Sequence, residues 1–339
     1  MNDIILSIII PVYNAQNNIK KLVESFRLFK YRKQLEVICV DDGSSDKSYE
    51  ILASLNEEYL RVIPQEHRGV SAARNTGLTV ASGRYITFVD ADDEVAIDIF
   101  ENVMKKAIVK DSDITIFGIR DIFYKNNEKI SEHDNFSEDA NYNERNFFLK
   151  IGEILNKDIL YSPCNKIYKN AIIKEHKIAF DERCSIGEDM LFNLSYFHYI
   201  QSVQMVADYA YLYRHEVLNE SGSSRYHDNY QEIVMKIYEE LNALLKIKNV
   251  YEENKVDMHI FLLRKISASL NNAFTKNSVL SKKDKKRFIA GLYSDQRIVE
   301  ALEDKQVTMK EIDQKMLVWL HRRHFKNCIY FLYSIRHLK

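Results

Sequence analysis

The sequence predicts an α/β fold, with a mixed, mainly parallel sheet flanked by helices, and a helical C-terminal region. Over about the first 120 residues, short apolar segments alternate with segments of helical periodicity, which is typical of parallel strands joined by right-handed crossovers. From about Tyr230 onward, apolar residues recur at helical spacing with many Lys and Glu residues between them. We therefore predict one domain over 1–228, made of two halves (1–95 and 96–228), and a helical region over 229–339.

Each element of the first domain is predicted from periodicity and from the residues that bound it. Ser44, Ser45 and Asp46 favour a helix start, and Gly83 favours the end of the helix before it. Strands are predicted at 6–12, 35–40, 60–63, 85–89, 114–119, 204–206 and 209–214. Helices are predicted at 17–29, after Asp46 to about 55, and at 70–81, 96–110 and 187–200.

The composition is that of an ordinary folded protein that does not bind nucleic acid. The chain has 339 residues, 46% of them hydrophobic and 29% charged, and its net charge is −1. Its four cysteines form no C-x-x-C pair, which argues against a disulfide framework or a zinc site. The apolar run in residues 1–12 lacks a basic flank and is cut short by Pro11. We therefore expect a cytoplasmic protein with no signal peptide and no spanning helix.

Two clusters of carboxylates follow predicted strands. Asp90, Asp92 and Asp93 come directly after the strand that ends at Val89. Ligands of open α/β sheets bind at such strand ends, and carboxylates so close together favour a hard divalent cation that carries a diphosphate. The alternative is that these acids cap the helix that follows.

The other cluster is Asp41-Asp42-Gly43, which ends the second strand. A carboxylate here can accept the imide N–H of a pyrimidine, and the alternative is a polar turn with a helix cap. Arg74, within Arg74-Asn75-x-Gly77, is either a solvated surface charge or a guanidinium that reaches a base or diphosphate.

Taken with Pro11-Val12-Tyr13-Asn14, these motifs resemble the inverting family 2 glycosyltransferases, whose fold is the Rossmann-like GT-A fold. The resemblance is close from Leu6 to about Val95 and looser to about Tyr226. It makes 1–95 a nucleotide-binding half and 96–228 an acceptor half.

The resemblance also implies roles for individual residues. Asp41 and Asp42 would contact uridine, and which of them faces uracil stays open, with Asp41 favoured. Arg74 would support the nucleotide, while Asp90 and Asp92 would bind ribose and the Mn²⁺ or Mg²⁺ on the diphosphate. The remaining residues that the resemblance assigns to donor binding are Pro11, Tyr13, Asn14, Lys166 and Arg214.

Glu188 and Asp189 begin a predicted helix, where acids are favoured by the helix dipole. The resemblance instead makes Asp189 the general base, which displacement at an anomeric carbon requires. The polar stretch from Arg214 to Arg225 is either a loop that closes on the donor or an ordinary surface loop.

The C-terminal residues 310–339 contain seven basic and two acidic residues, a local charge of +5. Apolar residues recur there at helical spacing: Phe325, Cys328, Ile329, Leu332, Ile335 and Leu338. Such a basic amphipathic tail can lie on an anionic membrane surface. It can equally pack on the catalytic domain or join subunits of a homo-oligomer.

The sequence thus predicts a metal-dependent, inverting transfer of a sugar from a UDP-sugar to a hydroxyl of a surface glycan. The acceptor would be a lipid-linked oligosaccharide or a wall or capsular polymer at the inner face of the membrane. In the family that the chain resembles, members that polymerise long chains carry a Q-x-x-R-W motif and spanning helices. This sequence shows neither, so the resemblance favours single addition. The rival hypotheses are a nucleotidyltransferase and a catalytically silent scaffold that binds sugar nucleotides.

Overall fold

The computed structural model describes residues 4–126, 128–135, 138–216, 226–325 and 328–336. The strands in these residues are β1 (Leu6–Val12), β2 (Leu35–Asp42), β3 (Leu60–Gln65), β4 (Tyr85–Phe88), β5 (Glu94–Val95), β6 (Ile114–Lys125), β7 (Glu128–Asp134), β8 (Ala140–Asn143), β9 (Lys166–Lys169) and β10 (Ser202–Glu216). The α-helices are α1 (Ile19–Ser25), α2 (Ser48–Ser54), α3 (Val70–Val80), α4 (Ile97–Lys110), α5 (Glu144–Leu155), α6 (Asn170–His176), α7 (Glu188–Phe197), α8 (Tyr230–Ile247), α9 (Tyr251–Phe274), α10 (Lys282–Leu292), α11 (Gln296–Glu303), α12 (Ile312–Arg322) and α13 (Cys328–Arg336).

The strands form one mixed sheet with the order β3-β2-β1-β4-β9-β6-β10-β5, while β7 pairs with β6 and β8 with β10. Strands β3, β2, β1 and β4 are mutually parallel, as are β6 and β10, and the β6–β10 ladder is the longest of these pairings. The short strand β9 is antiparallel to both of its neighbours, β4 and β6. The predicted mixed, mainly parallel α/β sheet is therefore confirmed.

Close packing of helix on sheet explains why the first strands are apolar throughout. Every residue of β1 is buried, because the strand lies in the middle of the sheet. Helix α3 approaches β1 closely at Gly77, where an added Cβ would lie 2.4 Å from Ile9 Cγ2. Glycine is needed there for this close approach.

Four predicted elements differ clearly in extent from the observed ones. The first helix spans only 19–25 and continues as a 3₁₀ turn over 26–28. The two strands predicted at 204–206 and 209–214 are one strand, β10, with an irregularity between Val206 and Tyr211 where it pairs with β6. Strand β6 itself extends to Lys125, because β7 and β10 pair with its polar second half. The periodicity of one strand carries no information about which other strands pair with it.

The chain divides into two compact units, one of residues 1–147 and 157–217 and the other of 148–156 and 218–339. The first contains the sheet. In the second, the 24-residue helix α9 packs against α8, α10, α11, α12 and α13. Residues 148–156 join this unit through Asn254, whose side chain donates to the Phe148 carbonyl (2.8 Å) and accepts from the Gly152 amide (2.9 Å).

Some of the apolar residues near the C-terminus are buried in the helical unit, and others are exposed. Ile329 and Tyr333 are buried, and the Tyr333 hydroxyl lies 2.9 Å from Ser267 Oγ on α9. Phe325, Phe331 and Ile335 are exposed. Leu338 lies outside the described residues. Among the helices that the structure describes, none has the length and apolar character needed to cross a membrane.

Candidate active site

A cleft of about 430 Å³ opens at the carboxyl ends of β1, β2 and β4. The sheet places it where strand order reverses around β1, since β2 lies on one side of β1 and β4 on the other. The predicted site residues that line the cleft are Pro11, Tyr13, Asn14, Asp42, Arg74, Asp90 and Asp92. Motifs far apart in the sequence thus meet at one edge of the sheet.

Arg74 is the centre of the charged network beside the cleft. Its side chain is 3% exposed, and its guanidinium donates from Nη2 to Asp90 Oδ1 (2.8 Å) and from Nη1 to Asp189 Oδ1 (2.7 Å). The Arg74 Cζ atom lies 5.2 Å from the centre of the Phe180 ring. The alternative of a solvated surface charge is excluded by this burial.

Asp189 stands in the first turn of α7, and its carboxylate bonds to Arg74. The Asp189 side chain is 32% exposed. Partial burial raises the pKa of this carboxyl to about 7, although the charge of Arg74 acts in the opposite direction. A carboxyl with a pKa near neutrality can exchange protons at physiological pH, as a general base must.

Three carboxylates follow β4, and they differ in their surroundings. Asp92 is exposed to the cleft, and Asp90 is held by Arg74. Asp93 is buried and accepts hydrogen bonds from the Tyr211 hydroxyl and from the Arg214 backbone amide (2.9 Å). Burial raises the pKa of Asp93 to about 8. Asp93 therefore fastens β10 to the turn that carries Asp90 and Asp92, a part that sequence reasoning did not assign to it.

The two acids that end β2 also differ. Asp42 lines the cleft, but its carboxylate is occupied by the loop after β3, with bonds from the Arg68 amide (2.9 Å) and the Gly69 amide (2.8 Å). Asp41 is buried; one oxygen accepts from the Ser44 amide (3.3 Å), and the other, Oδ1, has no partner among the described residues. Asp42 therefore lines the cleft, whereas Asp41 is not among the lining residues and has one buried oxygen without a partner among the described residues.

An aromatic pair forms the outer wall of the cleft. Tyr13 is half exposed and stacks on His67 with ring centres 4.3 Å apart, and His67 Nδ1 lies 2.9 Å from Asp42 Oδ2. Gly43 permits this arrangement, because its φ is +69° and an added Cβ would lie 2.9 Å from the His67 amide nitrogen. His67 was missed by sequence reasoning, since a single His in a loop carries no pattern.

Asn14 serves the same wall from the other side. It adopts a positive φ of 51°, and its side-chain oxygen accepts hydrogen bonds from the Ser45 amide (2.8 Å) and the Asp46 amide (3.3 Å). These bonds tie the end of β1 to the loop after β2. Pro11 lies within β1, three residues before Asn14, and also lines the cleft.

Lys166 and Arg214 are placed differently from the cleft residues. Lys166 is fully buried and does not line the cleft; its ammonium donates to the Ile159 carbonyl (3.1 Å) and to Asn165 Oδ1 (2.8 Å). Burial lowers the pKa of Lys166 to about 7. In this structure Lys166 bonds to the 159–165 segment and is not among the residues that line the cleft.

Arg214 lines a smaller pocket of about 100 Å³ together with Asp92 and Asp93, on the other side of the carboxylate cluster. Its guanidinium donates to Glu216 (2.6 Å) and lies over the Tyr124 ring at 3.9 Å. The stretch from 217 to Arg225, which was predicted to form a polar loop, lies outside the described residues.

The carboxylates of Asp90 and Asp92 are candidate ligands for a divalent cation. Among the described residues, no group of three or more His, Cys, Asp and Glu side chains is arranged to hold a metal ion. Asp90 and Asp92 nevertheless both face the cleft, and they are hard oxygen donors. An ion bound there would need its other ligands from a diphosphate and water, which fits Mg²⁺ or Mn²⁺ better than an ion held by protein alone.

Comparison with known proteins is consistent with this site. Residues 7–177, about half of the chain, match the family described as glycosyl transferase family 2. The uncharacterized glycosyltransferase EpsJ of Bacillus subtilis (strain 168) is 28% identical over 88% of this chain and 86% of its own length. The poly(ribitol-phosphate) beta-glucosyltransferase of Bacillus spizizenii is 27% identical over 82% of this chain and 42% of its own length.

Solved structures show the same fold. The crystal structure of S. aureus TarS 1-349 in complex with UDP-GlcNAc matches with a TM-score of 0.66 at 22% identity, over 99% of this chain and 92% of that chain. At this level of identity the similarity concerns the fold, and it confirms the predicted GT-A architecture with its C-terminal helices.

Proposed function

Because the chain belongs to glycosyl transferase family 2, we propose that this glycosyltransferase is an inverting, metal-dependent enzyme. It moves a sugar from a UDP-sugar to a hydroxyl of a surface glycan in a single displacement. Asp189 is the general base, and Asp90 and Asp92 hold the donor diphosphate through a divalent ion. The printed names of relatives that act on poly(ribitol phosphate) support a wall polymer as one acceptor class.

One observation carries the proposal: the buried Arg74 joins the carboxylate of Asp90 to that of Asp189. Asp90 lines the cleft in which a nucleotide diphosphate fits, and Asp189 has a pKa near neutrality. A single displacement needs a charge-neutralising group for the leaving diphosphate and a base for the attacking hydroxyl. Arg74 fixes the position of these two carboxylates relative to each other, because each lies at hydrogen-bond distance from its guanidinium.

The donor is oriented by the walls of the cleft. The stacked Tyr13 and His67 rings offer a flat surface for uracil. One of the two acids that end β2 would accept the uracil imide N–H: Asp42 lines the cleft, and Asp41 has an oxygen without a partner among the described residues. Asp90 and Asp92 would ligate Mg²⁺ or Mn²⁺, which when bound neutralises charge on the diphosphate. Arg74 holds Asp90, one of these two carboxylates, in a fixed position beside the cleft.

The acceptor hydroxyl gives its proton to Asp189. With a pKa of about 7, the Asp189 carboxyl is ionised in about half of the molecules at neutral pH. This ionised half can act as the base. Arg74 holds one carboxylate oxygen and thereby orients the group. This use of Asp189 differs from a helix cap, because its bond runs to another element rather than to the amides of α7.

We further propose that the enzyme works at the inner face of the membrane, as a peripheral protein. In the helical unit, Trp319, Phe325 and Phe331 are exposed, and Arg323 lies over the Trp319 ring at 5.9 Å. Aromatic and basic side chains together suit an anionic lipid surface. A homo-oligomer through the same helices is the alternative use of these side chains.

The test is a panel of UDP-sugars with Mn²⁺ or Mg²⁺, scored for UDP release with and without glycan acceptors. We expect one UDP-sugar to be consumed slowly alone and faster with acceptor, and EDTA to stop both reactions. Formation of UTP and a sugar 1-phosphate when pyrophosphate is added, instead of release of UDP, would support a nucleotidyltransferase. Tight UDP-sugar binding without any turnover would support the silent scaffold, and either result would refute the proposal.

A further inference from the structure

An aromatic surface extends from the carboxylate cluster along strands β6 and β10. We name it the ring wall and define it as Asp121 and Phe123 of β6 with Tyr213 and His215 of β10. In the parallel pairing of these strands, Tyr213 lies opposite Asp121 and His215 opposite Phe123. Because side chains alternate along a strand, all four stand on one face of the sheet.

The rings of this wall contact one another. His215 stacks on Phe123 with ring centres 4.6 Å apart and an angle of 14°, and Tyr213 meets the edge of His215 at 4.4 Å. His215 Nε2 lies 2.7 Å from Asp121 Oδ1, and Asn135 donates to the other Asp121 oxygen. Tyr213 is 44% exposed. The wall therefore presents ring faces beside fixed polar groups.

The ring wall begins at the candidate active site. Tyr211, on the same face two residues before Tyr213, bonds through its hydroxyl to Asp93 and to the Asp90 amide (3.2 Å). Tyr213 follows Tyr211 at a spacing of two residues in β10, so its ring stands next along the same face of the sheet. The wall lies on the β6–β10 side of these carboxylates, away from the nucleotide cleft between β1, β2 and β4.

We propose that the ring wall binds the terminal residue of the acceptor, and that this residue is a pyranose. The inference rests on the proposed function and goes beyond it, because it separates two acceptor classes. A pyranose has a flat C–H face that packs on the exposed Tyr213 ring, and hydroxyls that can bond to polar groups beside it. An open-chain alditol phosphate has no such face, so contact with Tyr213 favours the pyranose.

Direct binding tests this inference without requiring turnover. Four pyranose disaccharides and ribitol 5-phosphate serve as probes, in the presence of UDP and Mn²⁺, with saturation-transfer NMR to detect contact and calorimetry to give Kd. For the disaccharide that binds best, we expect Tyr213→Ala to raise Kd roughly ten-fold through the lost ring contact. Tyr213→Phe, which keeps the ring, should bind close to the parent.

Tyr209→Ala is the matched control. Tyr209 belongs to the same strand, but its ring contacts Arg120, which lies on the opposite face from Asp121. It should leave Kd for the disaccharide unchanged. Melting temperatures of all three variants identify any that fail to fold, in which case Tyr213→Phe and Phe123→Leu supply the comparison of ring chemistry.

The inference is overturned if Tyr213→Ala binds the disaccharide like the parent, or if it weakens binding no more than Tyr209→Ala does. It is also overturned if the parent binds no disaccharide, or binds ribitol 5-phosphate equally well. These outcomes are distinct from failure of the proposed function. A protein that binds a disaccharide through Tyr213 but consumes no UDP-sugar keeps the ring wall and loses the catalytic proposal.

Discussion

Replacing Asp189 by Asn is the most direct test of the proposed mechanism. The change keeps the size of the side chain and an oxygen that accepts the bond from Arg74, but it removes the ability to take a proton. We expect transfer to fall roughly 10²–10⁴-fold while affinity for UDP-sugar and metal stays close to the parent. Initial transfer rate and donor Kd, measured in parallel, separate chemistry from binding.

The pH dependence gives a second readout with a defined sign. With a pKa of about 7, the ionised fraction of Asp189 is about one tenth at pH 6 and about nine tenths at pH 8. The parental rate should therefore rise roughly ninefold over this interval and then level off. The residual activity of the Asn variant should lack this rise.

The stability of the folded protein should fall with rising pH, whereas the transfer rate rises. The folded-state pKa of Asp189 lies above its ordinary value of 3.8, so the folded state is favoured while the group is protonated. This contribution is fully present below pH 4 and is lost as the pH rises through about 7. Melting temperatures between pH 4 and 8 should show that the Asn variant lacks this loss.

Glu188→Gln is the matched control, since Glu188 occupies the same first turn of α7. It should keep near-parental turnover. If Glu188→Gln loses activity and Asp189→Asn keeps it, the assignment of the base is wrong. If both retain activity and lose about 1 kcal/mol of stability, the two acids serve only the helix end.

Four further outcomes are expected. Asp92→Ala should abolish metal-supported UDP binding, because the ion loses a direct ligand; calorimetry showing parental affinity would contradict this. Tyr13→Ala should weaken UDP binding roughly ten-fold through the lost uracil stack, an effect that titration in Tyr13→Phe should not show. Lys166→Met should lower stability by about 1–3 kcal/mol, seen as a lower melting temperature, yet leave UDP affinity unchanged. Reduced UDP affinity in the folded variant would instead support the predicted contact of Lys166 with the donor. Ser in place of Trp319 and Phe331 should reduce co-sedimentation with anionic liposomes, and an unchanged lipid partition with altered oligomeric state would favour subunit contacts instead.

The sequence by itself was sufficient for the parallel first half of the sheet and for most of the cleft, but it did not predict the strands β5, β7, β8 and β9. The strands β1, β2 and β4 could be located because they are almost entirely buried and read as continuous apolar runs. The acids after β2 and β4 could be placed together, since parallel strands that alternate with helices bring their carboxyl ends to one edge. Chain order and strand direction alone determine that result.

The tertiary structure decided which of these side chains meet and what holds them. The bridge from Arg74 to Asp189 joins residues more than a hundred positions apart, and no local pattern specifies such a distance. The same is true of the stack between Tyr13 and His67, and of the burial that turns Lys166 away from the cleft. Strand pairing also created the ring wall, because only the register between β6 and β10 sets Tyr213 beside Asp121. Local propensity fixes the elements, whereas contacts between elements depend on how the whole chain buries its apolar faces.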